Sequence, residues 1–359
     1  MTSLMAWLVW LPLAGGVLIF LLGRRLAYAT GLVTAFATLL AALALVWQVW
    51  TEGPGVYPVG AWAAPLGIEF HIDAVSAVML LLSAVAGAGV SLYALAYFSY
   101  EFLEDTPWRE SDGFWPLWFF LWAALNALFL SADLFNLYVT LELVTLTAVA
   151  LVILSGKQVS LTAGMRYLLA ALTGSLLYLF GVALLYAAFG TLELYALGAL
   201  TGPDWLSRVA LLFMTVGLMI KTALFPFHFW LPPAHGSAPA PVSAVLSGLV
   251  VKASFYLILR LWFDAFPDAL TPGAGGFVGA LGAAAIVWGS LRAIAQRRLK
   301  LLIAYSTVAQ IGYLFLPFAV VDWASAGGTA LENPLGPAEA GGLYHALAHG
   351  LAKAAMFMV

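Results

Sequence analysis

The sequence predicts an all-α polytopic integral membrane protein of about eleven transmembrane helices, the seventh of them broken. Three observations predict it. Of 359 residues, 64% are hydrophobic and only 9% are charged, against about 25% charged for an ordinary soluble domain. Apolar runs of roughly 20 residues, the length that crosses a bilayer, recur from one end to the other. Prolines also crowd one short stretch, at Pro226, Pro232, Pro233, Pro239 and Pro241, inside an otherwise helical pattern. Each removes a backbone donor and clashes with the preceding turn.

Spans are expected near 4–23, 27–50, 72–97, 114–130, 133–154, 162–189, 206–225, 241–263, 275–294, 300–320 and 341–359. The first opens with MTSLMAWLVWLPLAGG, which lacks a basic leading segment and reads as a membrane helix rather than a cleaved signal. Residues 51–71, TEGPGVYPVGAWAAPLGIEFH, mix Gly, Pro and short alternations that suit an extended or hairpin cap at the surface. Asp73 and Asp133 stand where the third and fifth spans begin and read as N-caps. GTLELYAL at 190–197 is expected to be a short interfacial helix. The seventh span carries Lys221 and then meets the proline cluster, so 226–240 reads as the second half of a broken helix plus a turn. Trp and Tyr near span ends suit interfacial belts.

The basic residues orient this map. Arg24, Arg25, Arg109, Lys157, Arg166, Arg292, Arg297, Arg298 and Lys300 fall at odd-numbered connections, and Arg208 and Arg260 at even ones. The positive-inside rule then places the N-terminus outside and the odd connections in the cytoplasm. Composition also excludes chemistry. With no cysteine, disulfides, zinc–thiolate sites, iron–sulfur clusters and thiolate haem ligation are ruled out, and any redox cofactor would belong to a partner. A net charge of −3 with one short basic cluster gives no sign of nucleic-acid binding. No cofactor and no metal is assigned: the His345/His349 pair has i, i+4 spacing but no accompanying carboxylate.

What remains is a set of ionisable residues inside predicted spans: Glu142, Lys221, Lys252 and Lys353, with His228 and His235 beside the break and His345 and His349 in the last span. Such a group costs at least about 2.5–3.5 kcal/mol in a bilayer, so it faces the bundle interior, a partner or a wet cavity. Burial disfavours a lysine's charged form and a nearby carboxylate favours it. A lysine approached and left by Glu142 could therefore carry protons, with histidines bridging the gaps. One static ion pair holding helices together is the plain alternative. Three lysines, a glutamate and four histidines together favour a relay. A discontinuous helix beside such a charge also frees backbone groups to hold ions at mid-membrane.

The run KTALFPFHFWLPPAHGSAPAPVSAVLSGLVVKASFYLILR at 221–260 resembles the signature of the antiporter-like proton-translocating subunits of respiratory complex I, membrane-bound hydrogenases and Mrp-type Na⁺/H⁺ antiporters. DLFNLYVTLEL at 133–143, the RYLLAALTGSLLYLFGVALLY segment, LLIAYSTVAQIGY at 301–313 and HALAHGLAKAAMFM are similar to the family's fifth, sixth, tenth and eleventh helices. LFNLYV leans toward the branch that holds the Mrp antiporter and hydrogenase members.

The resemblance implies two inverted five-helix repeats, the first (spans four to eight) complete and the second incomplete. On that basis residues 1–112 would be three N-terminal helices with surface connections, 113–263 the first translocation bundle and 264–359 part of the second. It implies that Glu142 partners Lys221 and that Lys252 connects onward. His228, His235, His345, His349 and Lys353 would shape a central polar axis. The expected function is H⁺ translocation, with or without exchange for Na⁺, within a complex of membrane subunits in a prokaryotic plasma (inner) membrane. A docking subunit and a membrane partner of an inorganic-carbon uptake system are the alternatives. Family members run to about fourteen helices, so a chain stopping at Val359 reads as truncated or split.

Overall fold

The computed structural model describes residues 2–62, 67–99, 110–320 and 337–359. Helices α1 (Thr2–Leu22) and α2 (Arg24–Glu52) meet at Gly23, whose φ of 68° turns the chain between them. Strands β1 (Gly55–Pro58) and β2 (Glu69–Ile72) pair antiparallel, so part of the expected surface hairpin is present. Then come α3 (Ala74–Tyr97), α4 (Glu110–Leu130), α5 (Leu134–Val152) and α6 (Gln158–Phe189). The short α7 (Leu194–Leu200) stands where the interfacial helix was expected. Asp73 caps α3 through Ser76, and Asp133 caps α5 through the backbone N–H of Asn136 at 2.7 Å, as the sequence indicated. Arg109 lies outside the described residues.

The seventh span is broken. Helix α8 (Trp205–Thr222) ends at Ala223, which takes a left-handed φ of 59°, an uncommon conformation for a residue with a Cβ. A 3₁₀ turn at Phe227–Trp230 follows, then α9 (Leu231–Ser237) with prolines in its first turn. The next span runs from α10 (Ala240–Val245) through a π turn at Leu246–Val250 to α11 (Val251–Arg260) and a second π turn at Leu261–Ala265. Neither π turn was expected; such turns mark places where an inserted residue re-aims a helix. Helices α12 (Pro272–Ile294), α13 (Leu299–Phe315) and α14 (Pro337–Phe357) complete the bundle.

Ten helices or helix pairs among the described residues are long and apolar enough to cross a membrane. The eleventh expected span is α14, which carries His345, His349 and Lys353. Burial ranks the spans: 94% of the 240–265 span's apolar window is buried, against 33% for α1, α2 and α12. The chain's centre is therefore α10–α11, while α1, α2 and α12 turn broad apolar faces outward, as lipid-facing helices do. One end of the bundle gathers the hairpin, the start of α5, α7 and the end of the 240–265 span. Bridges Phe70–Ser131 and Asp133–Glu193 and the Thr201 hydroxyl, donating to the Ala265 carbonyl at 2.6 Å, stitch this hairpin face together.

Candidate functional site

Helices α6 and α8 approach closely at two glycines. A Cβ on Gly174 or on Gly217 would fall inside contact distance of the other's carbonyl oxygen, so only glycine permits this spacing. The approach brings Lys221, one turn beyond Gly217, and Ser175, next to Gly174, to the same point as Glu142 on α5. Lys221 Nζ lies 2.8 Å from Glu142 Oε1 and donates to Thr145 Oγ1 at 2.7 Å. The Ser175 hydroxyl donates to the same carboxylate oxygen. The Lys221 side chain is 4% exposed and that of Glu142 15%. In so dry a place the ammonium needs a carboxylate and further acceptors to remain charged, and both are in contact with it.

The break holds this pair from the other side. The Trp230 indole donates to the Ile220 carbonyl at 2.9 Å, taking up a group that the lost helical turn leaves free. Its ring stacks on Tyr167 of α6, centroids 4.2 Å apart. The two halves of the broken helix and α6 are thus fastened around Lys221.

Lys252, Lys353, His235, His345 and His349 form a second group. Lys252 is fully buried and donates to the Ser247 carbonyl in the first π turn. Ser247 and Thr307 share a 2.9 Å hydrogen bond between hydroxyls. Lys353 donates to Ser306 Oγ of α13. His345 and His349 stack in parallel at 5.7 Å, and His345 Nε2 lies 3.2 Å from the Gln310 carbonyl. His235 is fully buried, stacked on Phe357 at 4.6 Å, and neither its ring nitrogens nor those of His349 have a protein partner among the described residues. Buried imidazoles without partners are costly and are sites where water or a mobile proton fits. Among the described residues no three His, Cys, Asp or Glu side chains converge as metal ligands.

His228 stands apart from both groups. It accepts a 3.0 Å hydrogen bond from Trp288 Nε1 of α12 and lies against Phe225, half-buried on the side of the bundle. The polar spacing of the signature put His228 beside Lys221 in sequence, but the 3₁₀ turn after Pro226 carries it outward.

Arg260 corrects the sequence reading, which placed it at a connection. It is buried in α11, with Nη2 2.6 Å from Asp73 Oδ1, Nη1 2.9 Å from Asp264 Oδ2, and Nε donating to the Tyr256 hydroxyl at 2.9 Å. The helix runs on through the second π turn, and two internal carboxylates remove the need for water. Burial would raise the Asp73 carboxyl. The adjacent guanidinium and the Ser76 hydrogen bonds outweigh it and hold Asp73 at about 2. Burial likewise raises Asp133 above the usual carboxylate range, against its hydrogen bonds to the α5 backbone. The signal for the Arg260 cluster was the i, i+4 spacing of Arg260 and Asp264. The hydroxyls of Thr145, Ser175 and Ser306 gave none, because Ser and Thr are ordinary in apolar helices.

Residues 131–359 match the family described as NADH:quinone oxidoreductase/Mrp antiporter, TM. The chain is 38% identical to an NADH-quinone oxidoreductase membrane subunit (N) of Desulforudis audaxviator, over 85% of this chain and 58% of that one. It is 31% identical to a Na(+)/H(+) antiporter subunit of Alkalihalophilus pseudofirmus, over 89% of this chain and 61% of that one. A chain in the structure of the Mrp complex from Dietzia sp. superposes with a TM-score of 0.85 at 28% identity, covering 99% of this chain and 63% of that chain. The chain thus spans about three fifths of the length of these relatives.

Proposed function

The chain belongs to the NADH:quinone oxidoreductase/Mrp antiporter family, and on that premise we propose that it moves protons across a prokaryotic inner membrane as one subunit of a multisubunit complex. One observation carries the reading: the buried Lys221–Glu142 pair, lined by Thr145 and Ser175, at the point where α8 breaks. A carboxylate beside an ammonium favours the charged lysine, and its withdrawal leaves burial to expel the proton. Changing the separation of α5 and α8 therefore switches Lys221 between holding and releasing. Lys252, His235, His349 and Lys353 continue the polar line into the second group, with water between them.

Other membrane subunits of the same complex and the bilayer are the partners this reading requires. The N-terminus is assigned to the outside, since Lys157, Arg166, Arg292, Arg297, Arg298 and Lys300 all cluster at connections of one parity. The test is Lys221→Ala in the assembled complex, reconstituted in vesicles. We expect pH-gradient formation to be lost while the complex assembles normally. An undiminished gradient overturns the relay and makes the pair a structural tie. Repeating the measurement with an imposed Na⁺ gradient reads exchange directly.

A further inference from the structure

Among the described residues no carboxylate lies within ion-pair distance of Lys252. The titratable groups that face it are Lys353, His345 and His349 from α14 and His235 from α9. Helices α5 and α8 bring Glu142 and Lys221, which satisfy each other, and α13 brings the Thr307 hydroxyl to Ser247. A buried ammonium among potential cations holds its proton only by drawing on negative charge elsewhere.

Such charge stands on its own helix. Lys252, Tyr256, Arg260 and Asp264 recur at intervals of four, which places them along one face. The Tyr256 hydroxyl accepts from Arg260 and donates to the Phe129 carbonyl at 2.9 Å. At the far end two carboxylates, Asp73 and Asp264, share the one guanidinium, and Asp73 Oδ2 is enclosed without a protein partner. The Tyr195 ring from α7 faces this cluster and stacks on His71 of β2 at 5.0 Å. A clamp needs only one carboxylate per guanidinium; a second buried one leaves excess negative charge that helix packing does not require.

We propose that the Asp73–Arg260–Asp264 cluster is the counter-charge of Lys252: a set of positioning residues that keeps this buried lysine able to hold its proton and links it to the hairpin face. The proposal rests on the transport reading above. Eight residues separate Lys252 from Arg260, roughly 12 Å along the axis. One unit charge at that range changes a group's proton affinity about tenfold at an effective dielectric constant near 20.

Asp73→Asn tests it, because Asn caps a helix as well as Asp does while removing one negative charge. In the complete complex in vesicles, the alkaline limb of the transport–pH profile is expected about one unit lower. The ¹⁵N NMR titration of the Lys252 amine, assigned with Lys252→Arg, is expected to move by the same amount. Asp73→Glu is expected to restore both. If both stay unmoved while only thermal stability falls, the cluster is a clamp and the proposal is overturned. A titration that moves while the transport profile does not sustains the counter-charge and overturns the transport role given to Lys252. Should Asp73→Asn fail to assemble, Asp264→Asn removes the other charge; an unshifted Lys252 titration in that variant overturns the proposal.

Discussion

At the scale of single residues, Glu142 and Asp133 sit nine positions apart and do different work. Glu142 receives Lys221 and Ser175, whereas Asp133 receives the backbone N–H of Asn136 at the start of α5. Glu142→Gln removes the charge that the ammonium depends on, and truncating one side of a buried pair costs about 3–5 kcal/mol. Asp133→Asn keeps an acceptor of equal capping strength. Proton transport in vesicles is therefore expected to fall far more with Glu142→Gln than with Asp133→Asn. The reverse order would show that the wrong carboxylate had been chosen. The intramembrane charges were legible in the sequence because each is costly in lipid. Their hydroxyl partners were not, since a helical Ser or Thr can satisfy itself on the carbonyl four residues back, as Thr145 also does with Leu141.

At the scale of elements, the α6–α8 contact decides where Lys221 points. A side chain at Gly217 would meet the backbone of Gly174 and Tyr178, and backbone cannot rotate away. Gly217→Val is expected to destabilise the subunit by about 1–3 kcal/mol, the range for overpacking a tight interface, and to reduce transport by moving Lys221 from Glu142. Gly276→Ala in α12, where a Cβ meets nothing within 4 Å, is expected to leave both unchanged. Thermal melting of the solubilised complex beside vesicle transport checks the pair. A helix break could be read from clustered prolines, because proline's effect is local. The π turns at 246–250 and 261–265 could not, because their sequences, LSGLV and LWFDA, suit an α-helix equally well.

At the scale of the whole molecule, Asp73 and Arg260 join segments 187 positions apart and tie the hairpin and α3 to the central helix. Because Asp73 is held at about 2 against an ordinary 3.8, its pairing contributes stability that is full above the ordinary value. That stability is lost as pH falls through about 2, and amounts to about 2 kcal/mol. Thermal stability of the solubilised complex should therefore drop between pH 4 and 2, and Asp73→Asn should flatten that part of the profile. An equally steep drop in the variant would assign the acid sensitivity to other carboxylates.

The sequence by itself determined the membrane class, the span count to within one, the broken seventh helix, both aspartate caps and the ionisable residues of the site. These follow from composition, run length and local backbone chemistry, none of which needs a partner to be known. Tertiary structure alone decided which charges meet. It joined Lys221 to Glu142 across three helices, turned His228 outward to Trp288, and buried Arg260 between two aspartates. The physical reason is range: an apolar helix declares its own length and ends, but the neighbour that neutralises a buried charge is chosen by packing between segments far apart in the chain.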